Sequence, residues 1–409
     1  MALTVNQLNG DTTFLLTFSP PFAPDHPAKR TRFPGDFTIL LDPWLSGRSS
    51  ILHPTFQVSH HTIEPTITNL NDINQHIDLI IISQDKPDHC HRETLCSLAK
   101  EKHVDILATP AAAKKIRSWK HFDEKRVHII PPYKAEQSET IVKIPLAAYT
   151  STTASGEITI ANIATKRDIT GLHNAIGITY QPPSSVFTLN TQWERHEQGT
   201  TVKLSADGIT RPQTPAQRPR TGSDTLPPVD KKQLRKAVSF PYLPKAADTD
   251  VPPVPPLPTP LRTRADSGIA KPGTLTNKER ILNVIYTPHG VSPSTIATYL
   301  ESHLKPLHAL PVTTFFHSMN TEQNPWFLGG RVAGGAPPGV ALAKAIGAQH
   351  WVGAHDESKD NRGMATIWIK RRRYELDEVK RMLLEAGMQG TKAVRLGVGE
   401  TVRIKPVER

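Results

Sequence analysis

Cysteine is nearly absent from this chain of 409 residues; only Cys90 and Cys96 occur. Two thiols in one short stretch exclude a disulfide framework and point to a reducing compartment. No run approaches the ~18 consecutive apolar residues of a membrane-spanning helix. The opening residues, Met1–Asn6, carry no basic leader followed by an apolar run, and read as a first β-strand. A soluble, cytoplasmic protein with no membrane partner is the expectation. Lys370–Arg373 is the one stretch resembling a nuclear signal, although the end of a strand is the plainer reading. Hydrophobic residues are also sparse, at 37%, and the 37 prolines account for much of that shortfall.

The prolines are not evenly spread. Between 211 and 260 there are 13, ending in the run Val251–Pro260. Such a segment cannot sustain ladder hydrogen bonds and buries too little apolar area to offset its ordering entropy. The expected organisation is therefore a domain half at 1–194, a disordered, Pro-rich, basic insertion at 195–277, and the second half of the same domain at 278–409. The formal net charge of +11 follows this division, because residues 201–280 hold 14 Lys and Arg against 7 Asp and Glu. That segment lacks interleaved aromatics on which bases could stack, so nucleic acid is not an expected partner. Val251–Pro260 has the polyproline character that SH3-type or WW-type domains bind. Ser223, Ser239 and Ser267 each stand three residues after a basic residue, a spacing that basophilic kinases accept. A tolerated linker in a surface loop is the plainer reading of both features.

On either side, strand and helix patterns alternate. Apolar runs at 14–18, 37–41, 78–82, 104–108, 127–130, 141–146, 157–163 and 176–180 read as strands. After the insertion, strands are expected at 281–286, 312–316, 350–353 and 400–404. Helical patterns cover 92–100, 111–119, 293–304, 340–346 and 375–386, and a Gly-rich loop spans 329–339. Two strand-rich halves with outer helices predict an α/β, four-layer αββα sandwich.

The chemistry lies in where the polar residues fall. Asp88 and His89 follow one buried strand, His289 follows another, His355 follows 350–353, and His173 precedes 176–180. Residues at strand ends converge on one rim of a layered fold, and imidazole with carboxylate suits a zinc-like divalent ion. Each of these histidines alone is more commonly a solvated loop residue; their joint placement is what carries weight. Cys90 and His91 adjoin the Asp-His pair, but adjacent residues at a helix start point apart, so they read as packing rather than a nucleophilic pair. The Gly-rich stretch with Arg331, ahead of a helix, could receive an anion, although an ordinary flexible loop is the plainer reading.

The order of these segments resembles the metallo-β-lactamase superfamily, in particular the branch of ascorbate-phosphate lactonase and related phosphoester or lactone hydrolases. Ile39–Ser46 is similar to the family's hydrophobic run with Asp-Pro, here Asp42-Pro43. Ser83-Gln84-Asp85-Lys86-Pro87-Asp88-His89 resembles its Thr-His-x-His-x-Asp-His signature. His173, Tyr286–His289 and His355 resemble its later motifs. The resemblance covers everything outside 195–277 and departs at two ligand positions, where Gln84 and Lys86 stand in place of histidines. An ammonium has no lone pair for a metal.

What the resemblance implies is one divalent ion, zinc or manganese, on Asp88, His89 and His355, with His289 at the position of a bridging Asp. Lys86 fills the vacated first position with its own charge, and metal-free and two-metal centres are the alternatives. In this reading Asp88, Lys86, Gln84 and His173 are the catalytic candidates: Lys86 and Gln84 hold a substrate anion, and His173 acts as base or substrate contact. Asp42 orients a ligand histidine. Returning Gln84 and Lys86 to His should raise the metal content toward two ions. The implied activity is hydrolysis of a small ester, lactone or phosphoester. The competing class is a non-catalytic binding or scaffold protein working through its Pro-rich insertion.

Overall fold

Two mixed sheets form from the alternating apolar runs. The computed structural model describes residues 1–21, 23, 32–51, 53–100, 102–149, 154–183, 281–326 and 330–406. The 195–277 insertion, with its proline run and three serines, lies outside the described residues.

The first half supplies β1 (Ala2–Gln7), β2 (Phe14–Ser19), β3 (Phe37–Leu41), β4 (Ser49–Ile51), β5 (Gln57–His60) and β6 (Leu79–Ile82). Helix α1 (Arg92–Cys96), β7 (Asp105–Ala108), α2 (Pro110–Ser118) and β8 (Val127–Ile129) follow. Next come β9 (Ile141–Leu146), β10 (Gly156–Ala164) and β11 (Asn174–Gln181). The second half contains β12 (Leu282–Tyr286), α3 (Pro293–Tyr299), β13 (Thr314–His317), β14 (Thr321–Gln323), β15 (Arg331–Ala333) and α4 (Ala336–Ile346). It ends with β16 (His350–Gly353), β17 (Asp360–Arg362), β18 (Lys370–Arg372), α5 (Leu376–Glu385), β19 (Lys392–Val394) and β20 (Thr401–Ile404).

One seven-stranded sheet runs β20-β1-β2-β3-β6-β7-β8 and the other β19-β16-β13-β12-β11-β10-β9. In the first, β3, β6, β7 and β8 are parallel neighbours; in the second, β12, β13, β16 and β19 are. Period-2 alternation assigns the faces. Leu79 and Ile81 face the second sheet's Val284, Tyr286 and Phe316 in the central core. Ile80 and Ile82 turn outward onto Leu95 of α1 and Ala112, Ala113 and Ile116 of α2. In the second sheet Ile285, Phe315 and Trp351 turn outward onto α3, α4 and α5. These three cores define the expected α/β/β/α layering.

The two domain halves close on each other directly. β11 and β12 pair antiparallel, with Tyr180 opposite Leu282, so the chain leaves and re-enters the sheet at adjacent strands. The first sheet likewise joins both halves, because β20 pairs with β1.

Several expectations shift at the edges. The predicted 329–339 loop contains strand β15, and α4 begins at Ala336 rather than 340. The helix predicted over 293–304 is regular to Tyr299 and continues as a wider turn to Leu304. Two small three-stranded sheets, β17-β5-β4 and β15-β14-β18, were not expected. Among the described residues no helix is long and apolar enough to cross a membrane.

Candidate metal centre

Parallel strands place the centre. The C-terminal ends of β3, β6, β12 and β16 deliver Asp42, Asp88 with His89, His289 and His355 to one rim, and the β1–β2 turn adds Asp11. Two of these residues adopt positive φ, Asp42 at 39° and His355 at 64°. That conformation is costly for a residue with a Cβ and is held here by surrounding contacts. The His355 N–H donates to the Asp11 carbonyl at 3.1 Å, and the Asp42 N–H to that of Ile81 at 3.0 Å.

Asp42 is fully buried, and its side-chain oxygens gather four hydrogen bonds. It takes hydrogen bonds from the Ser83 N–H at 2.7 Å, the Ser83 hydroxyl, the Tyr286 hydroxyl at 2.8 Å and His89 Nδ1 at 2.7 Å. The bond from His89 places a hydrogen on Nδ1, so in the neutral ring Nε2 presents the lone pair. His289 is fixed in the same way, because its Nδ1 faces the Val332 carbonyl at 3.1 Å. The two remaining nitrogens, His89 Nε2 and His289 Nε2, then confront each other at 2.9 Å. His355 completes the group; one ring nitrogen from each of the three histidines lies within 4.8 Å of the others. Its Nε2 is buried without a hydrogen-bond partner.

This donor set fits a divalent cation. Buried lone pairs that face each other repel unless a positive centre lies between them. Burial, followed by the neighbouring His355 and His89, holds His289 well below the ordinary imidazole range, so its Nε2 stays available as a ligand.

A second group shares His355. Asp11, Asp88 and His355 also offer atoms within 4.8 Å of one another. His355 Nδ1 lies 3.3 Å from Asp11 Oδ1, and its Nε2 lies 3.4 Å from Asp88 Oδ2. Lys359 Nζ enters the same space, 2.9 Å from Asp11 Oδ2 and 3.5 Å from Asp88 Oδ2. Burial opposes the charge on Asp88, but His89, Lys359 and His355 outweigh it and hold the carboxyl well below the ordinary range. Burial likewise disfavours the Lys359 ammonium, yet Asp11 and Asp88 hold its proton more tightly than in water.

The other sequence candidates lie apart from these two groups. Lys86 stands at the cavity wall, its side chain 30% exposed and its ammonium 3.3 Å from Asp85. The buried ammonium at the centre therefore belongs to Lys359 and not to Lys86. Gln84 is buried and donates to the Leu172 carbonyl at 2.7 Å, stitching the end of β6 to the turn before β11. His173 has Nδ1 at 3.1 Å from the Gly290 carbonyl and Nε2 at 3.1 Å from that of Arg331. Facing these carbonyls, it is not one of the three histidines whose nitrogens converge. Cys90 is buried, and burial pushes its thiol up to about 12, which leaves it inert as a nucleophile. His91 caps α1 through Thr94.

Sequence reasoning missed Asp11 and Lys359. Asp11 sits in a polar turn, Asn9-Gly10-Asp11, and Lys359 in a charged run, Asp356–Asp360, so neither stands out locally.

The centre opens into a cavity of about 370 Å³ walled by the two small sheets. Ile51, Phe56, Leu172 and Val332 form apolar wall, while Lys86 and Arg371 add positive charge. Arg371 is paired with Glu322 at 2.8 Å.

No family model and no curated protein matches the sequence. Solved structures do resemble it in overall shape. The diiron β-hydroxylase CmlA from Streptomyces venezuelae has 12% identity and a TM-score of 0.44, over 98% of this chain and 54% of its own. This chain thus spans about half of that protein. An isothiocyanate hydrolase from Delia radicum gut bacteria has 11% identity and a TM-score of 0.44, over 98% of each chain. The metallo-β-lactamase fold protein YhfI from Bacillus subtilis has 10% identity and a TM-score of 0.40, over 98% of this chain and all of its own.

Proposed function

We propose that this chain is a metal-dependent hydrolase of the metallo-β-lactamase class. In this reading one divalent ion, zinc or manganese, is held by His89, His289 and His355 with Asp88 beside them. The substrate is a small ester, lactone or phosphoester. The observation that carries the proposal is the buried pair of Nε2 atoms 2.9 Å apart, each ring's other nitrogen already committed to an acceptor.

A divalent ion bound there supplies Lewis-acid activation of water and of the bond to be cleaved. The chain's own residues do the rest. Asp42 and the Val332 carbonyl hold two imidazoles in the ligating tautomer. Asp88 is kept ionised beside His355 and accepts a hydrogen bond from an approaching polar group. Lys86, partly exposed at the cavity wall, receives a carboxylate or phosphate of the substrate, and Ile51, Phe56 and Leu172 cover its apolar part. His173 and Gln84, tied into the loops they brace, shape the cavity without touching the substrate.

The test is metal analysis joined to a substrate panel. Purified protein loaded with zinc is expected to hold one ion per chain and to hydrolyse members of an aryl ester, lactone and phosphodiester set. His89→Ala and His355→Ala are expected to lose both properties with the fold intact by circular dichroism. Stable protein that takes up no zinc, manganese or iron would overturn the proposal.

A further inference from the structure

The group formed by Asp11, Asp88 and His355 has the make-up of a second cation site, yet a side chain already stands in it. Lys359 Nζ is 2.9 Å from Asp11 Oδ2, 3.5 Å from Asp88 Oδ2 and 3.5 Å from His355 Nδ1. The Lys359 side chain is 7% exposed, and its ammonium lies 5.4 Å from the centre of the Trp44 ring. Burying a charge so completely is unfavourable unless opposite charges meet it, and two carboxylates do so here.

We infer that Lys359 is a built-in cation: its ammonium takes the place of a metal ion in the Asp11–Asp88–His355 cradle and so limits the centre to one exchangeable ion. Two further features separate this from an ordinary buried ion pair. The buried Asp11 Oδ1 makes no hydrogen bond and has only the His355 ring beside it at 3.3 Å, so the cradle keeps a donor atom that the ammonium does not use. Asp11 and Lys359 are 348 positions apart in sequence, so the pair is built by the tertiary fold and is not a local helix or turn contact. The ammonium brings one positive charge where a divalent ion would bring two, and it cannot dissociate.

The inference concerns the same centre as the proposed hydrolase but does not need that site to be catalytic. The experiment counts zinc ions. Full-length wild type, Lys359→Met and Lys359→Arg are stripped with chelator, dialysed against zinc alone, and counted by elemental mass spectrometry and calorimetry. Lys359→Met is expected to bind one ion per chain more than the wild type, and Lys359→Arg the same number as the wild type. Lys359→Met binding no additional ion overturns the inference. If apo Lys359→Met is too unstable to titrate, its melting temperature is read with and without zinc. A zinc-dependent rise larger than the wild type's supports the inference, and an equal or smaller one overturns it. A wild type that binds no zinc removes the hydrolase proposal, whereas a gain from none to one in Lys359→Met still supports the built-in cation.

Discussion

Asp42→Asn is the most informative single change, because it alters a tautomer while leaving the shape of the site. One Asp42 oxygen accepts the Ser83 N–H, which cannot turn away; the other accepts His89 Nδ1 and the Ser83 and Tyr286 hydroxyls. An asparagine must keep its oxygen toward the Ser83 N–H, which turns its NH2 toward the other three partners. The two hydroxyls can rotate and become acceptors. His89 can accept only by moving its hydrogen from Nδ1 to Nε2, where it points at His289 Nε2, 2.9 Å away. A hydrogen bond then closes the space between the two imidazoles. Loss of such an orienting partner typically weakens metal binding by about 10- to 100-fold, which is about 1.4 to 2.8 kcal/mol. The cost to folding should stay near 1–3 kcal/mol, since the hydroxyls can re-pair. Zinc titration by calorimetry reads the affinity, and urea denaturation of the apo protein reads the fold. Unchanged zinc affinity in a folded Asp42→Asn protein would refute both the tautomer assignment and the three-histidine centre.

Three further outcomes can be stated. Gln84→His with Lys86→His is now expected to leave the zinc count at the wild-type value, because His173, which resembles one of the family's later motifs, faces the carbonyls of Gly290 and Arg331 instead; a rise toward two ions would show that those contacts yield. Burial holds the His317 imidazole down at about 4, so the unfolded chain takes up its proton first as the pH drops below the ordinary 6.5. Stability is therefore complete above pH 6.5 and declines toward pH 4, by about 2 kcal/mol at pH 5 for this residue; His303, also near 4 through burial, acts in the same direction. A urea midpoint that does not move between pH 7 and 5 would contradict this. Finally, Gly339→Ala places a Cβ 2.5 Å from the Trp351 ring where α4 meets the second sheet. Such overpacking should cost about 1–3 kcal/mol in thermal or chemical unfolding, and full stability would mean that the helix can shift without penalty.

The layering was readable because short, mostly apolar runs such as 79–82 and 282–286 mark strands buried on both faces, while which residue feeds which core emerges only in the structure. The small sheets were not, because β4, β14, β15, β17 and β18 are each three residues long and their outer positions are largely exposed. The centre was legible to the extent that its groups follow parallel strands, which is how His89, His289 and His355 could be grouped from the chain order. Orientation was not legible. Nothing local to His173 says that its ring turns to the Gly290 and Arg331 carbonyls, since both partners are placed by distant segments. Asp11 and Lys359 escaped for the same reason, each being one charge among ordinary surface-like neighbours until the fold joins the ends of the chain.

Charge balance ties these points together. Three buried or nearly buried carboxylates, Asp11, Asp42 and Asp88, gather around the three imidazoles, and one buried ammonium, Lys359, answers them. When a bound cation displaces the proton that Asp11 and Asp88 favour on His355 and so keeps the imidazoles neutral, three negative charges face one positive at the inner end of the cavity. Uncompensated buried charge costs several kcal/mol per ion, whereas a single divalent cation brings the sum to zero. A second divalent ion would overshoot to two positive charges unless Lys359 left or an anion entered. On this count the Lys359 ammonium and one divalent ion would together neutralise the three carboxylates, and a second divalent ion would call for an anionic ligand from the cavity lined by Lys86.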